Sequence, residues 1–265
     1  MKKTFWGGRR YCSIDYMLKE RYSEKLYKLS LNGGMTCPNR DGKISEGGCI
    51  FCSAGGSGDF AANFNPDIAK QIEQAKTLVS KKYQGDRFIA YFQAYTNTYA
   101  PVEYLRKLFM DTIMRDDIAI LSIATRPDCL GDDVIELLAE LNRIKPVWVE
   151  LGLQTINEST ARLINRGYEL SCYDEAVRRL RNIGVEIITH MIIGLPYETK
   201  EDILSTAEYI GKTANGIKLQ LMHILKNTKL LEMYEKGEFK ALTEEEYIEI
   251  VCEIISILPR EMVIH

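Results

Sequence analysis

Beyond residue 85 the chain alternates between short apolar runs and longer stretches whose apolar positions recur every three or four residues. The apolar runs, at 88–95, 118–125, 147–154, 185–195 and 217–225, are rich in Ile and Val. They predict strands covered on both faces. The longer stretches, at 102–115, 132–143, 159–165, 173–183 and 201–212, predict helices. Pro101 and the Asp132-Asp133 pair suit helix starts, and Gly184 suits a helix end. An earlier run at 25–31 supplies a first strand, and 67–83 a first helix.

Strand–helix units with short connections predict a parallel sheet with right-handed crossovers. Six such units fall short of the eight that close a full barrel. The expectation is therefore an α/β fold, a partial and open TIM-like (β/α)6 barrel over residues 25–265, ending in a C-terminal helix. Residues 1–24 precede it as a basic arm. Met262-Val-Ile-His265 after Pro259 reads as the start of a further strand, so a natural chain continuing beyond 265 is expected.

Composition is that of a globular protein, with 46% hydrophobic and 27% charged residues. No apolar run reaches the roughly 18 residues of a membrane span, and the first residues lack the apolar core of a secretory signal. A cytoplasmic location, with no membrane partner, is the expectation. Charge is unevenly spread. Residues 1–40 carry nine Lys/Arg against three acids, and the remainder carries 25 against 34. A basic segment on an acidic body suits contact with phosphates, or simply a solvated extension.

Of seven cysteines, three crowd into residues 37–52 and four (Cys12, Cys129, Cys172, Cys252) are scattered. That is not a disulfide framework; in a reducing compartment a tight Cys group points to metal or redox chemistry. Cys37, Cys49 and Cys52 lie just after the first strand, where parallel barrels carry their active sites. Closed structural zinc sites want four protein ligands. Three thiolates can instead hold a 4Fe–4S cluster with one iron left open to chelate a cofactor or substrate. Zinc completed by a distant Cys or one of His190, His223 and His265 is the alternative.

Ile50-Phe51-Cys52 keeps the aromatic residue before the last Cys of the radical S-adenosylmethionine (SAM) superfamily loop, which this segment resembles. The eleven residues between Cys37 and Cys49 depart from the usual three. That long spacing, followed by Gly55-Gly56-Ser-Gly-Asp59-Phe60, resembles the catalytic subunit of the Elongator complex. Thr36-Cys-Pro-Asn-Arg-Asp-Gly with Gly-Gly-Cys-Ile-Phe-Cys is similar to the YhcC/YtqA-type radical proteins, and the likeness runs over residues 20–225.

The resemblance implies two cofactors, a 4Fe–4S cluster on Cys37, Cys49 and Cys52, and SAM. It implies that Tyr95, Thr96 and Asn97 take the place of a Gly-Gly-Glu-like motif that receives the cofactor's amino group. Arg126 would pair with the methionyl carboxylate. Gln154 and Arg166 would serve the ribose and carboxylate, and His190 would face cofactor or substrate. The strand carrying Met222 and His223 would contribute backbone contacts to adenine. Reductive cleavage to a 5′-deoxyadenosyl radical is the implied reaction, fed by a donor such as flavodoxin or ferredoxin. The implied substrate is tRNA, at the side chain of wobble uridine, with the basic arm touching phosphates. A small molecule or peptide is the alternative substrate. A non-catalytic zinc module recruiting RNA or protein is the alternative from another class. The sequence does not specify an oligomeric state.

Overall fold

Apolar residues at every second position of the strand runs need a helical layer to cover them, and the helices supply it. The computed structural model describes residues 6–56, 61–83 and 85–265. Among these, eight parallel strands form one sheet: β1 (Cys12–Ser13), β2 (Tyr27–Leu31), β3 (Phe88–Phe92), β4 (Ile118–Thr125), β5 (Val147–Gln154), β6 (Glu186–Ile193), β7 (Gly216–Leu221) and β8 (Val263–Ile264). Their spatial order is β1-β8-β7-β6-β5-β4-β3-β2, so the six long strands lie side by side in chain order. This is the expected partial TIM-like barrel, curled and open.

The helices are α1 (Ile14–Tyr22), α2 (Ile68–Val79), α3 (Val102–Ile113), α4 (Asp132–Asn142), α5 (Glu158–Leu163), α6 (Leu170–Asn182), α7 (Lys200–Thr213), α8 (Lys229–Glu235) and α9 (Glu244–Ile257). Local chemistry starts them. The Asp67 side chain accepts from the amides of Ala69 and Lys70, and Thr199 with Asp202 and Thr243 with Glu246 form reciprocal caps. The outer core joins outward strand residues such as Val147, Val149, Leu151 and Leu153 to Leu137, Leu138, Tyr173 and Leu180 of the helices. Helix α9 adds Ile250 and Ile254 to the same core.

The basic N-terminal segment is folded in its later part. Cys12 pairs with Val263, and α1 buries Met17 and Leu18 against Ile89, Ile120, Trp148 and Ile188. These partners lie near the N-terminal ends of their strands, so α1 fills the barrel floor. Arg21 pairs with Glu186 at the start of β6. The strand foreseen after Pro259 is β8, which carries the sheet from β7 on to β1. Lys2 and Lys3 lie outside the described residues.

The strand expected at 88–95 ends at Phe92. Tyr95 is left-handed (φ 57°), and its amide donates to the Gly56 carbonyl instead of extending the ladder. The run at 217–225 likewise stops at Leu221, and α8 follows it.

Candidate active site

Side chains alternate across a strand, so every second residue of the six long strands points into the barrel. The deepest inward layer, Ile89, Ile120, Trp148 and Ile188, is apolar and closed off by α1. The next layer is polar: Lys28, Tyr91, Ser122, Glu150, His190 and Lys218 join in one network. Above it a cavity of about 600 Å³ opens at the C-terminal ends of the strands, a volume suited to small ligands. Cys37, Cys49 and Cys52 line that same cavity, with Tyr91, Glu150, His190 and Lys218 in its wall.

Turns and one asparagine hold the thiol loop. The Cys37 carbonyl accepts from the amides of Arg40 and Asp41, and the Cys52 amide donates to the Cys49 carbonyl. Asn39, fully buried, donates from Nδ2 to the Asn165 carbonyl at 2.6 Å and lies 3.6 Å from Cys49 Sγ. The Asn165 side chain in turn donates from Nδ2 to the Gly48 carbonyl at 2.9 Å. The loop is thereby moored to the segment after α5, although the two are more than a hundred residues apart in sequence. Arg40 donates to the carbonyls of Cys52 and Ser53 and lies over the Tyr95 ring. Gly55 and Gly56 of the sequence motif belong to this loop, while Asp59 and Phe60 lie outside the described residues.

Gly167 makes that mooring possible. Its φ is +80°, and a Cβ there would stand 2.6 Å from Asn39 Oδ1. Gly167→Ala is expected to cost about 1–3 kcal/mol in strain and to displace Asn39. Iron retained after anaerobic reconstitution should then fall, while the far-ultraviolet circular dichroism stays native. Wild-type iron content in the variant would show that the mooring does not position the thiols.

The other sequence-predicted residues divide in two. Tyr95, Thr96, Arg126, Gln154, Arg166, His190 and Met222 all line the cavity, together with His223. Asn97 does not line it. It is fully buried behind the wall, and its Nδ2 donates to the carbonyls of Phe92 and Ala124, tying β3 to β4. Arg126 forks onto Asp128 at 2.9 and 2.7 Å and donates to the Arg166 carbonyl at 2.8 Å. Arg166, 2% exposed, donates to the carbonyls of Tyr168 and Thr155 and pairs with Glu158 at 3.0 Å. Both guanidiniums reach the cavity already carrying a carboxylate partner.

Sequence reasoning passed over Tyr168. Its ring lies within 5.1 Å of the Arg126 guanidinium and 4.6 Å of that of Arg166, and its hydroxyl donates to the Gly152 carbonyl. It joins the two arginines to the wall of β5. Gln154 is left-handed at the end of β5, and its Oε1 is buried in the cavity wall with no partner among the described residues. An orphaned buried acceptor awaits a donor, such as the hydroxyl of a bound ribose.

Glu150 is the charge at the centre. Lys28 and Ser122 donate to its Oε1 at 2.8 and 2.7 Å, and Lys218 and His190 meet its Oε2 at 2.8 and 2.7 Å. Despite full burial, the flanking ammoniums hold its carboxyl well below the usual carboxylate range. Burial pulls Lys28 below the usual ammonium value, against the attraction of Glu150. His190 is pushed down to about 4, first by burial and then by Lys218, so it is neutral near pH 7. The neutral ring donates through Nε2 to the carboxylate.

A pH dependence follows. A histidine whose folded pKa is depressed gives its full stabilisation above the unfolded value of about 6.5, and loses it as pH falls toward the folded value. For His190 that window runs from about 6.5 to about 4 and amounts to about 3 kcal/mol. His265, depressed by burial in the same direction, adds to the slope. Glu198, pushed up to about 7 by burial, works in the opposite sense over the same range, so the His190 contribution is read from a difference: in urea unfolding at pH 7.5 and 4.5, the change in stability on acidification should be less unfavourable in His190→Gln than in wild type. An unchanged slope in that variant would place the titration elsewhere.

The donor set fits an iron–sulfur cluster. Three thiols line one cavity, and burial pushes Cys49 up to about 11, with Cys52 and Cys37 adding to the cost of its charge. Mutually repelling thiolates are what a cationic metal group relieves. Among the described residues, no three His, Cys, Asp or Glu side chains converge on a single ion's position.

A curled parallel half-barrel with three thiols above its strand ends defines a class, and comparison agrees: the chain belongs to the radical SAM superfamily. Residues 37–210 match the Radical SAM superfamily model, and 214–265 match the Radical_SAM C-terminal domain. Its cofactors are accordingly a 4Fe–4S cluster and SAM, and it is a radical SAM enzyme. Within the superfamily it is similar to YtqA of Bacillus subtilis (strain 168), 46% identical over 97% of this chain and 80% of that protein. It is 29% identical to the tRNA uridine(34) acetyltransferase of Methanocaldococcus infernus, over 53% of this chain and 26% of that protein. In fold it is similar to archaeal Methanocaldococcus infernus Elp3 with an N-terminus deletion (TM-score 0.69, 21% identity, 91% of this chain and 56% of that one). No helix among the described residues is long and apolar enough to cross a membrane.

Proposed function

We propose that the protein modifies the side chain of a uridine in tRNA, at the wobble position. The observation that carries this reading is one cavity that puts three thiols, an orphaned Gln154 acceptor and the Glu150–Lys218 pair within a single chamber. Similarity to a tRNA uridine(34) acetyltransferase supplies the substrate class.

Cys37, Cys49 and Cys52 would hold the cluster, and Gln154 with the backbone of the strand ends would hold SAM. When bound, the two supply one-electron cleavage of the sulfonium and a radical that abstracts hydrogen from the substrate. The chain's own residues orient and enclose. Arg40 and Asn39 fix the thiol loop, Tyr168 and the two arginines stiffen the β5 side, and the apolar floor keeps bulk water out. An electron donor such as flavodoxin or ferredoxin would feed the cluster. Phosphate contact by the basic N-terminal segment belongs to the same proposal, at the floor end for residues 12–24.

The test is to incubate reconstituted enzyme, reductant and SAM with tRNA from a strain lacking the gene, then to analyse nucleosides by mass spectrometry. A mass change confined to nucleoside 34, with one 5′-deoxyadenosine formed per change, supports the reading. Cleavage of SAM with no change in any tRNA nucleoside, and no salt-sensitive tRNA affinity, would move the substrate to a small molecule or peptide.

A further inference from the structure

Two ammonium groups share one carboxylate inside the barrel. Lys28 and Lys218 each bond Glu150 at 2.8 Å, and the rest of the network is uncharged: neutral His190 and the hydroxyls of Ser122 and Tyr91. Tyr91 offers its ring face to both ammoniums, at 4.7 and 4.8 Å. The two arginines in the cavity wall are already neutralised, Arg126 by Asp128 and Arg166 by Glu158. Arg40 turns to backbone carbonyls beside the thiols. The polar layer therefore carries one positive charge in excess, at a depth where burial makes an unpaired charge expensive.

Lys218 is the ammonium on the cavity wall, with 21% of its side chain exposed. Glu150 anchors it from behind, and the Tyr91 hydroxyl lies 3.3 Å from its Nζ. An ammonium has three donors; the carboxylate takes one, the Tyr91 hydroxyl accepts a second, and one remains. A ligand oxygen bearing negative charge would both use the remaining donor and cancel the excess. A neutral ligand would do only the first.

We propose that Lys218, backed by Glu150 and Lys28, binds an anionic group, a carboxylate or a phosphate, on the molecule that enters the cavity, and so selects anionic substrates. This rests on the cavity being the reaction chamber, and not on the substrate being RNA.

The experiment is equilibrium dialysis of the anaerobically reconstituted full chain, with uridine and 5-carboxyuridine as paired probes and acetate and phosphate as competitors. Wild-type protein should bind 5-carboxyuridine about tenfold more tightly than uridine, the scale of one charge-assisted hydrogen bond. Acetate displacing better than phosphate, or the reverse, identifies which anion fits. Lys218→Met should erase the preference, Lys218→Arg should keep most of it, and SAM affinity should be unchanged in both. In Lys218→Met the carboxylate keeps Lys28, Ser122 and His190, so the fold should survive, which thermal melting checks.

Equal binding of the two nucleosides by wild type, with neither anion binding, overturns the proposal and needs no variant. Loss of SAM affinity in Lys218→Met overturns it too, by assigning the anion to the cofactor's own carboxylate. Lys218-dependent binding of acetate or phosphate without binding of either nucleoside upholds the anion site and refutes the uridine reading.

Discussion

In Cys37→Ala, Cys49→Ala and Cys52→Ala, formation of 5′-deoxyadenosine from SAM is expected to drop to background, and iron and sulfide content to fall with it. The effect is total because no fourth cysteine lines the cavity to take the place of a lost thiolate. The three thiols are the cysteines that line the cavity; Cys12, Cys129, Cys172 and Cys252 are outside its wall. Stability should change little in Cys37→Ala and Cys52→Ala, since these thiols are only part-buried and the loop is held by Asn39, Arg40 and backbone turns; Cys49→Ala should cost more, because its sulfur bonds Asn39 and the Asn165 carbonyl. Cys252→Ala, at an exposed position on α9, should retain full activity. Deoxyadenosine formed at the wild-type rate by Cys37→Ala would remove that residue from the cluster ligands.

The sheet was legible in the sequence because its outward face is continuous. Val147, Val149, Leu151 and Leu153 on one strand, and their equivalents elsewhere, make the runs look apolar throughout. The same continuity hid the inward face. His190 was singled out, but Glu150 and Lys218 each sit in a run dominated by Ile, Val and Leu, and each occupies a position of inward parity. A strict test of alternation would have marked them, since a charge in an apolar strand needs a partner. No local pattern says that the partners of Glu150 come from β2, β4, β6 and β7, because that depends on the curl of the sheet.

The thiol loop was legible for a different reason: its spacing is a chemical motif rather than a packing pattern. Its mooring was not, because Asn39 finds Asn165 only after five strands have been laid down. The resemblance assigns Arg126 and Arg166 to the cofactor's carboxylate and ribose. Their partners Asp128 and Glu158 are close in the chain, two and eight residues away, yet only the turn after β4 and the start of α5 aim them back. Asn97 was singled out as part of a polar strand end, and the register of β3 against β4 turns it away from the cavity.

Glu150→Leu should be the most destabilising single change in the barrel interior. The wild-type carboxylate is fully buried, and four side chains bond it. Replacing it with an alkyl group leaves Lys28 and Lys218 near one another without an anion, and removes the acceptor for Ser122 and His190. Breaking a buried ion pair on one side costs about 3–5 kcal/mol, a large part of the 5–15 kcal/mol that holds a domain together. Glu150→Gln should cost less, because the amide oxygen still accepts from Lys28 or Lys218, but it also offers His190 a donor in place of an acceptor. The decisive comparison is the double variant Glu150→Leu/Lys218→Met. If the damage comes from stranded cations, removing one of them should return part of the loss, so the double variant unfolds at higher urea than Glu150→Leu alone. Additive losses would mean that Glu150 stabilises the barrel by packing and hydrogen bonding, with the charge of Lys218 already screened by water from the cavity.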